Sequence, residues 1–265
     1  MEKTTAFQGS IPAKYDQYLG PFLFEPYALD IVSRLKDKKY EHILEIACGT
    51  GRVTNHLSVS VDHDSLTATD LNPDMIEIAK KRVLDDKIKW QAADALELPF
   101  DDNSFDLVVI QFGIMFFPDK LKGLQEVYRV LKSGGKSIYN TWDRVDNNPA
   151  IHTGRQIIES YFDNNPPMFY NIPFSMHDEL ELKVLTEQAG FKDVDVSFVE
   201  KDASCDSAAD LTIGIVEGNP IHIAITEKDP SLVDIIKKEV QKALIEKFGE
   251  LINCKIHAWV VEAKK

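Results

Sequence analysis

Apolar residues along this chain recur with two alternating periods. Ile43-Leu44-Glu45-Ile46, Leu66-Thr67-Ala68-Thr69, residues 88–92 and residues 105–111 are runs of strand length. The last is nearly continuous, as a central parallel strand covered on both faces must be. Between these runs the apolar positions move to helical spacing. Ile76, Ala79 and Val83 share one face behind Asn72-Pro73-Asp74, where Asn72 suits an N-cap and Pro73 the first helical position. Leu121, Leu124, Tyr128 and Leu131 mark a second helix, which the sequence ends at Ser133-Gly134-Gly135, before a fifth strand over 136–142. Strand and helix in regular succession predict an α/β fold, doubly wound on a parallel sheet.

Beyond residue 142 the pattern loosens. After Asp146-Asn147-Asn148-Pro149 a helix is predicted over 151–162, then a proline-rich connector over 164–173. Ser175-Met176-His177-Asp178 reads as a capping box for a helix ending at Gly190, and a sixth strand covers 191–200. Within the following insertion, Leu232, Ile236, Val240, Ala243 and Leu244 lie on one face behind Asp229-Pro230, and 251–262 alternates as the closing strand. Toward the start, 25–35 reads as a helix with Tyr27, Ile31 and Leu35 on one face. Residues 7–26 carry Phe7, Tyr15, Tyr18, Phe22 and Phe24, more rings than a disordered tail usually holds. They are expected to form an arm packed over the domain near the ligand site. The expected organisation is a single domain: a cap arm over 1–35, a core over 36–200 and 250–265, and a helical insertion over 201–249 acting as a substrate lid.

Chemistry concentrates where the first strand ends. Ala47-Cys48-Gly49-Thr50-Gly51 breaks the apolar run with two glycines, and helix-compatible sequence resumes at Arg52. Glycine allows positive φ and lets a ligand lie on the backbone, while the new helix offers unpaired N–H groups and the positive end of its dipole. Asp70 closes the second strand 19 residues after Gly51, where nucleotide-binding α/β folds place an acid on ribose hydroxyls. Asp94 follows the third strand, again at a carboxyl end.

Composition narrows the partners. The chain has 265 residues, 44% hydrophobic and 28% charged, which is ordinary globular composition. Its net charge of −13 opposes a phosphate backbone, so nucleic acid is not an expected partner. Met1-Glu2-Lys3-Thr4-Thr5 lacks the profile of a secretory signal, and the longest uncharged apolar run, 107–118, is 12 residues and too short to span a bilayer. Cys48, Cys205 and Cys254 are scattered and give neither a disulfide framework nor a metal motif. No metal is expected, and the cytoplasm is the expected location.

Two nucleoside classes compete for the glycine turn. A dinucleotide site needs a third small residue three positions after Gly51, and Thr54 stands there. Glu45, four residues before Gly49, opposes a pyrophosphate but suits an ammonium group. S-adenosyl-L-methionine has an ammonium, a sulfonium and no phosphate, so charge favours it. The run from Ile43 to Gly51 resembles the first motif of class I S-adenosylmethionine-dependent methyltransferases of the ubiquinone/menaquinone-biosynthesis-like (type 11) branch. Asp70-Leu71-Asn72-Pro73-Asp74-Met75, Asp94-Ala95-Leu96-Glu97-Leu98-Pro99-Phe100, Ser104-Phe105-Asp106-Leu107-Val108, Tyr128-Arg129-Val130-Leu131-Lys132-Ser133-Gly134-Gly135 and Ala189-Gly190-Phe191 extend the likeness in the same order. Ala47 departs from it, standing where many members have glycine.

The resemblance implies a Rossmann-like, mostly parallel sheet of seven strands, the last antiparallel. It also implies roles: Glu45 with the backbone at Ala47 and Gly49 on the methionine ammonium, Gly51 in the turn, Asp70 on the ribose, and Leu71 and Met75 against the adenine. Asp94 and the Ala95 N–H would meet the adenine edge, Gln111 and Phe112 would flank the sulfonium, and Tyr15, Tyr18 and Arg52 would reach the methionine carboxylate. The alternatives are an NAD-dependent oxidoreductase and a non-catalytic nucleoside-binding module. For a methyltransferase, 1–35, 151–173 and 201–249 face the acceptor side and supply Phe162, Phe169, Tyr170, Phe174, Ile213 and Ile215, which suits a small, partly apolar methyl acceptor. His152 and His222 lie in these segments, but no catalytic base is assigned. Asn165-Pro166-Pro167-Met168 falls after the fifth strand and lacks an aromatic, so it reads as a loop and not as an amino-methyltransferase motif.

Overall fold

The structure, a computed structural model, describes residues 7, 9–163 and 166–265. The reading of Met1–Thr5 and the Asn164-Asn165 part of the proline-rich connector lie outside the described residues. Seven strands form one sheet: β1 (Tyr40–Ile46), β2 (His63–Asp70), β3 (Lys89–Ala92), β4 (Phe105–Gln111), β5 (Leu131–Trp142), β6 (Lys192–Cys205) and β7 (Ile252–Lys264). Their order is β3-β2-β1-β4-β5-β7-β6. The first five pair in parallel and β7 runs antiparallel to β5. The chain winds outward from β1 through β2 to β3 and then returns to β4 on the other side of β1. That reversal leaves a crevice at the carboxyl ends of β1 and β4, the place where open α/β sheets bind ligands.

The helices are α1 (Ile11–Lys14), running into a π-helical stretch (Tyr15–Phe24) and then α2 (Glu25–Ser33), followed by α3 (Arg52–Ser60), α4 (Pro73–Arg82), α5 (Lys120–Val130), α6 (Pro149–Ser160), α7 (Glu179–Gln188), α8 (Ala208–Glu217), α9 (Ile221–Lys228) and α10 (Leu232–Phe248). The chain folds as two compact units. The larger comprises Tyr27–Asp143, Pro173–Val199 and Ala258–Lys265; the smaller comprises the described residues within Met1–Pro26, Arg144–Ile172 and Glu200–His257. Among the described residues no helix is long and apolar enough to cross a membrane.

In the larger unit the core follows the apolar runs. Leu107, Val108, Val109 and Ile110 of β4 are all fully buried, so both faces of that strand are covered as its sequence requires. The segment after β3 is pinned to α5 by one side chain. Arg129 donates to the carbonyls of Leu98 and Phe100 at 2.9 and 2.7 Å and pairs with Asp102 and Glu126, while Glu126 accepts the Leu98 N–H at 2.9 Å. In the smaller unit Tyr15, Tyr18, Phe22 and Phe24 lie in the π-helical stretch that packs on α8, where Lys14 and Lys237 each pair with an oxygen of the mostly buried Glu217.

Several boundaries differ from the pattern reading. Helix α5 stops at Val130, because Leu131 is drawn into the sheet opposite Phe105. Gly134 and Gly135 therefore lie in β5, where the Gly134 N–H donates to the Lys265 carbonyl at 3.0 Å and the Lys265 N–H to the Gly135 carbonyl at 3.1 Å. The cap of α7 is Asp178, which accepts the Glu181 N–H at 2.9 Å, so Ser175 is not the cap. Asp178 and Glu181 repeat the capping pattern three residues later, and the later pair is the one next to helical backbone. Strands β6 and β7 extend to Cys205 and Lys264 because strand pairing continues past the end of clean alternation.

The ends of β1 and β4 meet closely. Ala47 has φ 56°, and a Cβ added at Gly113 would stand 2.5 Å from the Ala47 Cβ. The departure from glycine at residue 47 is thus accommodated by glycine at residue 113. Gly113→Ala is expected to destabilise the protein by about 1–3 kcal/mol through overpacking. Adding Ala47→Gly should restore most of that, since it removes the opposing methyl and a left-handed conformation costing about 1–2 kcal/mol. Urea unfolding of the two single variants and the double variant measures this coupling; additive losses would refute it.

Candidate functional site

The loop after β1 is shaped by alternation. Ala47, Gly49 and Gly51 have φ of 56°, 54° and 79°, whereas Cys48 and Thr50 between them are buried. The Cys48 N–H donates to the Thr69 carbonyl at 2.9 Å, the Gly51 N–H to the Cys48 carbonyl at 3.0 Å, and Arg82 holds the Thr50 carbonyl at 2.9 Å. The two glycines serve different ends. A Cβ at Gly49 would meet nothing within 4 Å, so open space borders this backbone; at Gly51 it would stand 2.8 Å from the Ala79 Cβ, so Gly51 lets α4 approach.

Asp70 ties this loop to the next. One carboxylate oxygen accepts the Gly49 N–H at 2.9 Å and the other the Asn72 N–H at 2.8 Å. Burial raises its pKa, against the pull of these N–H groups. Two bonds leave part of the four-site acceptor capacity of a carboxylate available to a diol. Leu71 beside it is 47% exposed, an apolar surface on which a ring can rest, and Met75 is buried in α4. The Ala93 N–H donates to the Asp70 carbonyl at 3.1 Å, joining the ends of β2 and β3. Asp94 is exposed and spends one oxygen on the Leu96 N–H at 2.8 Å, and Ala95 is buried.

Glu45 lies within β1 and is only 1% exposed. Its carboxyl accepts the Thr54 hydroxyl at 2.6 Å. Burial pushes its pKa up to about 8, with the Thr54 hydroxyl pulling down and the Asp70 carboxylate adding to the rise. A fixed negative charge, as the sequence suggests, is therefore a poor description. The group is a buried acid that ionises readily once a cation stands beside it. Thr54, the residue that fails the dinucleotide pattern, fills the space between α3 and β1 as the partner of Glu45. Cys48 is buried with its thiol pushed well above its ordinary value by burial, so it is not an activated nucleophile.

Gln111 ends β4 half-buried, and Phe112 follows with φ 50°. The Phe112 ring stacks on Trp142 at 3.8 Å, and Tyr27 meets both rings edge-on at 5.3 and 5.4 Å. Asn140, missed by the sequence reading because it lies within an apolar strand pattern, accepts the Phe112 N–H at 2.8 Å.

The structure thus brings Glu45, Ala47, Gly49, Gly51, Arg52, Asp70, Leu71, Met75, Asp94, Ala95, Gln111 and Phe112 to the edge where β1 to β4 end. Tyr15 and Tyr18 belong to the smaller unit, where Tyr15 packs on Phe24 with ring centroids 4.7 Å apart. His152 and His222 are in the same unit, in α6 and α9, and burial lowers the pKa of His222. Among the described residues no group of three His, Cys, Asp or Glu side chains is arranged to hold a metal.

Comparison with known proteins gives a concordant answer. A family model described as the ubiE/COQ5 methyltransferase family matches residues 10–167. A demethylmenaquinone methyltransferase of Staphylococcus epidermidis is 32% identical over 209 residues, covering 72% of this chain and 85% of that protein. The enzyme of the same name from Staphylococcus haemolyticus is 32% identical over 211 residues, 72% of this chain and 86% of that one. Among solved structures, phosphoethanolamine N-methyltransferase 2 of Haemonchus contortus in complex with S-adenosyl-L-methionine aligns with a TM-score of 0.62 at 18% identity, over 100% of this chain and 58% of that one, a likeness of fold. Thr54 departs from the dinucleotide pattern, the family model covers more than half of the sequence and relatives 32% identical span most of their own length on it, and the chain belongs to the ubiE/COQ5 family of class I S-adenosylmethionine-dependent methyltransferases.

Proposed function

We propose that this methyltransferase modifies a small, partly apolar acceptor of the hydroxylated aromatic or quinol class. The observation carrying the acceptor class is the 32% identity to demethylmenaquinone methyltransferases across 85% of their length. In the insertion between β6 and β7, Leu211, Ile215 and Val216 of α8 pack into the core of the smaller unit, and the half-buried Ile213 is the apolar residue of that helix proposed to meet the acceptor. The smaller unit is assigned acceptor recognition.

On the cofactor side, the residues present fit the nucleoside. Open space borders the Gly49 backbone, Asp70 retains acceptor capacity, and Glu45 is an acid poised to ionise against an ammonium. Glu45 and the backbone at Ala47 and Gly49 hold the ammonium, Asp70 the ribose, and Leu71 and Met75 flank the adenine, whose edge meets Asp94 and the Ala95 N–H. Gln111 and Phe112 border the sulfonium. Arg52 is assigned the methionine carboxylate, and the same role is proposed for Tyr15 and Tyr18. When bound, S-adenosylmethionine supplies a methyl group on a cationic sulfur, which departs as a neutral thioether. The chain's own task is to align the acceptor behind that methyl and exclude water, effects that together lower a barrier by several kcal/mol.

Glu45 gives a pH signature. Its folded pKa of about 8 lies above the ordinary 4.5, so the folded protein retains a proton that the unfolded chain releases. The Glu45 contribution to stability is therefore complete below about pH 4.5 and is lost as pH rises through 8. Thermal melts between pH 5 and 8 should fall more steeply for the wild type than for Glu45→Gln. Binding of S-adenosylhomocysteine at pH 7 should release a proton in the wild type, seen as a binding heat that depends on buffer ionisation, and no such release should occur in Glu45→Gln.

Asp70→Asn and Glu45→Gln are each expected to weaken S-adenosylhomocysteine binding about tenfold or more by calorimetry, the scale of a hydrogen bond to a charged group. NAD should not bind. For the acceptor, radiolabelled methyl transfer is expected to a demethylated quinol and not to protein or nucleic acid. Labelling of macromolecules alone would overturn the acceptor class.

A further inference from the structure

Strand β5 presents two faces at its carboxyl end. The Tyr139 hydroxyl pairs with Thr186 of α7 at 2.6 Å, and the Thr141 hydroxyl donates to the Met176 carbonyl at 2.7 Å. Alternation sends Asn140 and Trp142 to the opposite face. There both act on one residue. Trp142 lies flat against the Phe112 ring with planes 4° apart, and the Asn140 Oδ1 accepts the Phe112 N–H. The residue so gripped has φ 50°, a left-handed conformation that phenylalanine does not adopt unaided.

Asn140 is fully buried, and its Nδ2 finds no partner among the described residues. Since Oδ1 faces an N–H, the orientation of the amide is settled. An apolar side chain of the same shape would have no idle donor but would leave the buried Phe112 N–H without its acceptor. What the asparagine supplies at this position is the acceptor for Phe112.

The consequence of that bond is directional. Gln111 pairs in register with Asn140 and is the last residue of β4. The left-handed step at Phe112 turns the chain off the strand line at once, bringing Gly113 against Ala47 before the short turn Ile114–Phe116. An extended Phe112 would carry the peptide onward and separate the β4 end from the loop after β1. We infer that Asn140 is a positioning residue of the cofactor pocket: by holding Phe112 left-handed it fixes the Gln111-Phe112 peptide at the methyl-donor end of S-adenosylmethionine. This rests on the assignment of Gln111 and Phe112 made above.

The test combines Asn140→Ala, Asn140→Asp, Phe112→Gly and the double variant Phe112→Gly/Asn140→Ala. It reads S-adenosylhomocysteine affinity by calorimetry and the 13Cα shift of selectively labelled Phe112. Asn140→Ala should weaken binding about tenfold, the scale of one lost pocket interaction, and move the Phe112 shift away from its left-handed value. Asn140→Asp keeps the accepting oxygen and drops the idle donor; it should stay within about threefold of wild type. Glycine takes the left-handed conformation freely, so in the Phe112→Gly background the loss of Asn140 should cost less than about threefold. The inference is overturned if Asn140→Ala leaves affinity or the Phe112 shift unchanged, if Asn140→Asp is as weak as Asn140→Ala, or if the loss is equal in both backgrounds. A wild-type protein that fails to bind S-adenosylhomocysteine sinks the cofactor assignment instead, and the Phe112 shift in Asn140→Ala still decides the role of Asn140.

Discussion

The bond from the Gly49 N–H to the Asp70 carboxylate is the constraint on which the pocket edge depends. It spans 21 residues of sequence and fastens the turn after β1 to the end of β2. With the Asn72 N–H on the other oxygen, one side chain organises two loops and the start of α4. The loop after β1 can take three left-handed steps in five residues because its own N–H groups are answered by Asp70, the Thr69 carbonyl and the Cys48 carbonyl. Backbone groups satisfied within the protein leave the exposed atoms of Ala47 and Gly49 available to a ligand.

Electrostatics at this edge is more subtle than a row of acids. Burial raises the cost of ionising both Glu45 and Asp70, and the Asp70 carboxylate adds to that cost at Glu45, so the pair favours a cation over a neutral or anionic guest without carrying two full charges beforehand. A pyrophosphate would meet acids and a threonine-filled turn. A sulfonium nucleoside placed as proposed above would meet, at its ammonium, groups whose protonation adjusts to it. Chemistry and family membership agree on this point, and the low-identity structural likeness adds only the fold.

Much of this was legible in the sequence for a physical reason. Continuous burial of β4, the Asn72-Pro73 start of α4 and the glycine turn are local signals, written into adjacent residues. What was not legible depends on partners distant in sequence. Leu131 looks helical by spacing and becomes strand because Phe105 pairs with it. Asp178 wins the cap over Ser175 only once the helix start is placed. The glycine at residue 113 has no meaning until Ala47 is seen opposite it, and Asn140 reads as a polar interruption until Phe112 is seen to need an acceptor. Arg129, which reads as a solvent-facing or ion-paired helix residue, is ion-paired with Glu126 and Asp102, and its hold on the Leu98 and Phe100 carbonyls after β3 is the part that spacing does not show.

That last arrangement bears on the thermodynamics of recognition. Loops at a ligand site commonly surrender conformational freedom when they close on a guest, and the loss is subtracted from affinity. Here the stretch following Asp94 and Ala95 is already clamped through the carbonyls of Leu98 and Phe100 by a guanidinium anchored on a helix. The entropy of ordering it is spent during folding. The segment after β3 is in this sense a preformed wall, its order fixed before any guest arrives.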